Sequence, residues 1–190
     1  MMKQIKPALI ILITFTLITG VFYPLLMTGL AQLVFPVQAN GSMINRNGQT
    51  IGSELIGQQF DDPKYFWGRL SATPGTPYNA SSSGGSNFSV LNTELQAQVE
   101  NRLSALREAD PENTKPVPVD LVTASASGLD PNISVAAAEY QAARIAKARG
   151  LSINQVNTLI QKYTRNRIFG ILGEKTINVL EINLALDGIQ

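Results

Sequence analysis

The side chains in this sequence best suited to acid–base chemistry are carboxylates: the pair Asp61-Asp62, then Asp110, Asp120 and Asp130. Glycosidase-like hydrolysis needs two such groups flanking one bond. These lie in polar loops, where an aspartate ordinarily closes a turn or caps a helix. Nucleophilic chemistry has less to draw on. Histidine and cysteine are both absent from the 190 residues. That removes Ser-His-Asp and Cys-His triads, a histidine general base, nearly all zinc sites, thiol chemistry and iron–sulfur ligation. No Ser-x-x-Lys occurs, so a serine–lysine dyad lacks its signature. Gly173-Glu174-Lys175-Thr176 echoes the end of a Walker A loop but lacks its Gly-Lys pair and preceding glycine, and no Gly-x-Gly-x-x-Gly is present. No catalytic or metal-binding residue is assigned from these patterns.

The elements that position these residues begin with a membrane segment. No charged residue lies between Lys6 and Arg46, and Ala8 to Phe35 is dominated by Leu, Ile, Phe and Val. A helix needs about 20 such residues to cross the hydrocarbon core. A signal peptide is the alternative, but its apolar region runs about 7–15 residues and this one is about twice that. The organisation is therefore an N-terminus over residues 1–7, a transmembrane helix over 8–35 and an exported domain over 36–190. Lys3 and Lys6 precede the span, and positive charge favours the cytoplasmic side, so the N-terminus is expected inside. Thr16 and Gly20 share a helix face that admits close approach of another backbone, and Pro24 should kink the helix one turn on. All three are candidates for packing against a partner helix.

The 15 basic and 14 acidic side chains form no block of one sign, which disfavours a nucleic-acid or membrane-surface binder. Without cysteine the exported part must fold without disulfides. Its first element is a hairpin: Met43–Arg46 and Gln49–Ile51 flank Asn47-Gly48, the dipeptide suited to a type I′ turn, with the second arm running on toward Leu55-Ile56. From Phe60 the chain carries Tyr65, Phe66, Trp67, Arg69 and Tyr78, then Ser81 to Asn87, rich in Ser and Gly. A linker would not carry these aromatics, so an ordered interaction loop is favoured, with Tyr65, Phe66, Trp67, Arg69, Tyr78 and Asn87 as its candidate contacts.

Three capped helices follow. Asn92 or Thr93 opens the first, with Thr93 and Gln96 as a capping box. Ser134 opens the second, which closes at Gly150. Ser152 and Gln155 box the third, whose buried face is Ile153, Val156, Leu159, Ile160 and Tyr163. Val117 to Val122 reads as a short strand near an edge. The small-residue loop after it, with Ser125, Ser127 and Asp130, suits either docking or an ordinary turn. The tail from Ile177 to Leu186 leans helical over strand. The fold class is α+β: one N-terminal transmembrane helix, then a small antiparallel sheet packed with about three to four helices.

Several stretches, in order along the chain, resemble the C subunit of the bacterial Kdp potassium-transporting ATPase. They include Asn40-Gly41-Ser42, Gly52 to Gln58, Tyr65-Phe66-Trp67-Gly68-Arg69, Pro77-Tyr78-Asn79 through Asn87, Asp120 to Asp130, and Val179 to Asp187. The resemblance implies a non-catalytic accessory subunit of an ATP-driven potassium uptake complex in the bacterial inner membrane. Its expected partners are a channel-like potassium-binding subunit, a P-type ATPase subunit, a small single-span subunit and the lipid bilayer, with no nucleic acid. ATP, Mg and K+ belong to the complex, not to a site on this chain. The resemblance also implies a catalytic-chaperone role that raises the pump's affinity for ATP. Two other readings stand beside it. One is a nucleotide-binding regulator, with Ser83-Gly84-Gly85-Ser86 as its phosphate loop, which requires the domain to face the cytoplasm. The other is a membrane-anchored exported binding protein.

Overall fold

The first 30 described helical residues, Ile5–Val34 (α1), have a mean hydropathy of 2.3 over their most apolar window, and none of that window is buried within the protein. The computed structural model describes residues 4–188. Lys3, one of the two lysines behind the expected orientation, lies outside them. Within α1 the winding changes from α to π over Ile18–Phe22, and the Tyr23 N–H reaches back five residues to Ile18 O. Pro24 comes immediately after. A proline has no N–H and crowds the carbonyl four residues earlier, and a wider turn accommodates both defects. A Cβ added to Gly20 would lie 4.0 Å from Thr16 Cγ2, so these two residues do share a face. A helical turn, Pro36–Ala39, succeeds the span.

The hairpin forms as its dipeptide predicts. Strands β1 (Met43–Arg46) and β2 (Gln49–Ser53) flank Asn47 at φ +53° and Gly48 at φ +78°. The second arm ends at Ser53, short of Leu55-Ile56. The chain divides into two units between Gly52 and Ser53, and the remaining helices and sheet all belong to the second.

Helix α2 (Thr93–Ala109) is capped by Asn92, whose side chain accepts from Glu94 N. Thr93 is thus already helical, and the expected Thr93–Gln96 box does not form. Strand β3 (Asn132–Ser134) leads into α3 (Val135–Arg149), capped by Ser134 and closed by Gly150 at φ +66°. Helix α4 (Ile153–Tyr163) has its Ser152–Gln155 capping box and buries Val156, Leu159 and Ile160, while Ile153 is exposed. Strands β4 (Thr164–Arg165) and β5 (Thr176–Asn178) complete an antiparallel sheet in the order β3-β5-β4, with Ile133 opposite Ile177 and both buried. The tail is therefore split: β5 first, then α5 (Val179–Asp187), capped by Asn178.

Val117–Val122 is not a strand. It tightens into a 3-10 turn at Val119–Leu121. Leu121, at the end of that turn, and Val122 after it are both buried. The turn also aims Asp120 at β3, where its carboxylate accepts from Ser134 N at 2.7 Å and Ser134 Oγ at 3.1 Å.

Phe66 and Trp67, expected on an interaction loop, lie in the core at 0% and 5% exposure. Their backbone belongs to no strand, and two side-chain amides take the place of a strand partner. Asn183 of α5 accepts from Phe66 N at 2.8 Å and donates to Phe66 O at 3.0 Å. Gln141 of α3 accepts from Trp67 N at 2.8 Å and donates to Trp67 O at 3.2 Å. A carboxamide offers one acceptor and two donors, enough to satisfy a residue's N–H and C=O together. Asn183→Ala leaves two buried backbone groups unpaired, at about 1–3 kcal/mol each. We expect the urea midpoint of the detergent-solubilised chain, read from its only tryptophan, Trp67, to fall sharply. Gln96→Ala, on the exposed side of α2, should change stability by less than about 0.5 kcal/mol.

Candidate functional site

The aromatic and Ser/Gly segment and the small-residue loop before β3 fold onto each other. Ser125 N donates to Leu70 O at 3.2 Å, and Leu70 and Ala124 form an isolated parallel bridge. Arg69 reaches across with both terminal nitrogens, to Asp130 Oδ2 at 3.3 Å and Ala124 O at 3.2 Å. Ser71 Oγ donates to Gly128 O at 2.7 Å, and Gly57 N donates to Leu129 O at 2.9 Å. Asp130 Oδ1 also accepts from Asn132 N at 3.0 Å.

Tyr78 is the pivot of this layer. It takes φ +57°, donates its hydroxyl to Arg69 O at 2.6 Å and sets the edge of its ring where any Cβ on Gly57 would sit. Burial pushes its phenol up to about 12. It is a packed structural group at neutral pH.

The candidate phosphate loop is in the same layer. A phosphate cradle needs backbone N–H groups free to point at the anion. Here Gly84 N donates to Ser127 O at 2.9 Å, and Ser83 Oγ donates to the same carbonyl at 3.0 Å. A Cβ on Gly85 would meet Ala126 O at 2.7 Å, and Gly128, at φ +67°, meets Gly84 O from the other side. The Ser/Gly run is a close backbone-to-backbone contact, with Ser86 half-buried at its end and Asn87 exposed at φ +52°. Of the residues proposed from sequence for interaction, Arg69, Tyr78, Ser125, Ser127 and Asp130 are brought together. Tyr65 lies elsewhere, donating its hydroxyl to Asp187 Oδ2 at 3.1 Å.

Sequence reasoning passed over the arginines that hold the aromatic segment. Arg144 is buried and donates to the carbonyls of Pro63 and Tyr65 and, at 2.7 Å, to Gln141 Oε1. Burial draws its guanidinium down to about 10, still cationic at neutral pH. Its Cζ lies 4.6 Å from the Trp67 ring centre, and that of Arg102 lies 4.9 Å away. Arg102 donates to Leu121 O and Gly68 O, and burial depresses its pKa against the pull of Asp61. Arg149 donates to Lys64 O at 2.7 Å and pairs with Asp187 at 2.7 Å. The only sequence signal was the place of Arg144 and Arg149 near the end of α3, where cations also suit the helix dipole.

A cavity of about 110 Å³ opens beside this layer, lined by Gln59, Asp61, Arg69, Tyr78 and Arg102 among others. Among the described residues no group of three or more Asp or Glu side chains is placed to hold a metal ion. The layer is closely packed but not fully satisfied, since Arg69 Nε and Asn132 Oδ1 are buried without a hydrogen-bond partner.

A long apolar helix with none of its most apolar window buried by its own protein, followed by a small α+β domain, is the architecture of a membrane-anchored protein. The chain belongs to the KdpC family. The profile described as "KdpC: K+-transporting ATPase, c chain" matches residues 5–188. A protein of Methylococcus capsulatus called potassium-transporting ATPase KdpC subunit is 60% identical over 190 residues, covering all of both chains. A protein of the same description from Herpetosiphon aurantiacus is 58% identical over 185 residues, covering 97% of this chain and 96% of its own. Another from Burkholderia vietnamiensis is 56% identical over 190 residues, covering 100% of this chain and 98% of its own.

The adjacent glycines of the Ser/Gly run separate packing from flexibility. Gly85→Ala places a methyl against Ala126 backbone and should cost about 1–3 kcal/mol. Gly84→Ala meets nothing within 4 Å and should leave the thermal midpoint unchanged or slightly raised.

Proposed function

We propose that this chain is a non-catalytic accessory subunit of an ATP-driven, high-affinity potassium uptake complex. It assembles and stabilises a channel-like potassium-binding subunit and a P-type ATPase subunit, with a small single-span subunit beside them. The observation that carries this reading is the pairing of KdpC-family membership with a helix, Ile5–Val34, that has no buried residue of its own in its most apolar window. That surface is left for lipid and for other helices. Thr16 and Gly20 offer the small-residue face that such helices pack through, and the π turn before Pro24 shapes it.

The chain sits in the bacterial inner membrane with one span, its N-terminus in the cytoplasm and residues from about Pro36 outward in the periplasm, an orientation supported by Lys6 and Lys3 against an uncharged run. ATP, Mg and K+ are bound by the other subunits. Any rise in the pump's ATP affinity then travels through packing between chains, since the domain and the nucleotide lie on opposite sides of the bilayer. The commitment of Gly84 N to Ser127 O argues against direct phosphate contact at Ser83–Ser86.

Affinity purification through this chain in mild detergent should recover a large channel-like polypeptide and a P-type ATPase. Replacing Thr16 and Gly20 together by Leu should lower that recovery on the order of tenfold, the equivalent of about 1–2 kcal/mol of helix packing. A reporter fused to the carboxyl terminus should be active outside the cytoplasm. Activity only in the cytosol overturns the orientation.

A further inference from the structure

Two Asn-Gly dipeptides lie close together in the chain, Asn40-Gly41 and Asn47-Gly48, and no other occurs. Asparagine is a chemically labile residue. Before glycine it can react with its own main chain, because the next residue has no side chain to block the approach of its nitrogen. Both asparagines are exposed. They differ in what must break before the reaction starts.

Asn40 is held on both sides of its carboxamide. Its Nδ2 donates to Gln32 Oε1 at 3.0 Å and to Pro36 O at 2.7 Å, and its Oδ1 accepts from Gln32 Nε2 at 3.2 Å. The nitrogen that would attack, Gly41 N, is itself engaged, donating to Gln38 O at 3.0 Å. Beyond it Ser42 is buried and donates its N–H to Val37 O at 2.9 Å. Asn47 stands at the tip of the hairpin, at φ +53° with Gly48 at φ +78°. A Cβ added to Gly48 would meet nothing within 4 Å. This turn too must open before its atoms can react, but opening costs little. No residue of β1 or β2 is buried, and a two-stranded hairpin by itself is marginally stable.

We infer that Asn47 is a site of spontaneous deamidation in the folded protein, and that pairing with Gln32 keeps Asn40 from the same reaction. Gly48 N, giving up its proton, attacks Asn47 Cγ. The new C–N bond closes a five-membered imide, the bond from Cγ to Nδ2 breaks, and ammonia leaves carrying that proton. Water then opens the imide at one of its two carbonyls. Opening at Cγ restores the main chain and leaves aspartate. Opening at the main-chain carbonyl of residue 47 leaves isoaspartate, whose main chain runs through Cβ and Cγ. Either product places a new negative charge beside Arg46. Aspartate before glycine still suits a type I′ turn. The extra main-chain carbon of isoaspartate lengthens the two-residue loop, and with it disturbs the register of β1 on β2. The inference is independent of the partner subunits.

The test is peptide mapping by mass spectrometry of the full chain, aged in native membranes in mildly alkaline buffer and compared with an unaged sample digested in parallel. The peptide carrying Asn47 should gain about one mass unit, faster as pH rises because the attacking nitrogen must lose its proton. Fragmentation should locate both aspartate and isoaspartate at that position. Asn40 should convert more slowly on the order of tenfold, since two or more additional hydrogen bonds must break there. Gln32→Ala should raise conversion at Asn40 and leave the rate at Asn47 unchanged. Asn47 left intact in membranes, while the urea-unfolded chain converts there, overturns the inference, because the turn then does not open. Conversion of Asn40 as fast as Asn47, or no rise at Asn40 in the Gln32 variant, overturns the protection assigned to the pair.

Discussion

The segment Phe66-Trp67 runs through the core without a neighbouring strand, and the domain depends on how that backbone is satisfied. An unpaired buried N–H or C=O costs about as much as several favourable contacts return. Asn183 and Gln141 each serve both groups of one residue, from two helices far apart in sequence. This fixes α3 and α5 against one segment and places the Trp67 ring within 5 Å of two guanidinium groups, Arg102 at 4.9 Å and Arg144 at 4.6 Å. The buried arginines are compatible with the core because each donates to two or more acceptors.

The residues after Trp67 inherit this placement. Arg69 is delivered to Ala124 and Asp130, Tyr78 to the space over Gly57, and the Ser/Gly run to Ala126 and Ser127. Glycine is required at 57 and 85 because another atom already occupies the position of its Cβ, so two loops without regular structure close to backbone contact. The result is a layer of loops in close backbone contact.

Helix α1 and the domain show different kinds of exposed apolar surface. In α1 it is continuous and follows from residue composition, as a bilayer requires. In the domain it is local, at Val90-Leu91 and at Ile168, Phe169, Ile171 and Leu172.

Local chemistry was legible wherever a residue acts on its near neighbours. The uncharged run made the long apolar helix evident, Asn47-Gly48 the hairpin, and Ser134, Ser152 with Gln155, and Gly150 the ends of two helices, because caps and turns are decided within about four residues. The α+β class and the family resemblance were also present in the residues themselves. Which polar groups meet across long separations was not. Aromatics next to glycines read as an exposed contact loop, but Phe66 and Trp67 are core, since only the fold supplies Asn183 and Gln141 117 and 74 positions away. Val117–Val122 had strand-like composition, yet it is a turn that brings Asp120 to Ser134, a partner the local sequence does not reveal. The tail had both helical and strand character because it is one then the other, and pairing of Ile177 with Ile133 set the boundary. Sequence decides what a short segment prefers; tertiary structure decides which preferences survive once every buried donor and acceptor must find a partner.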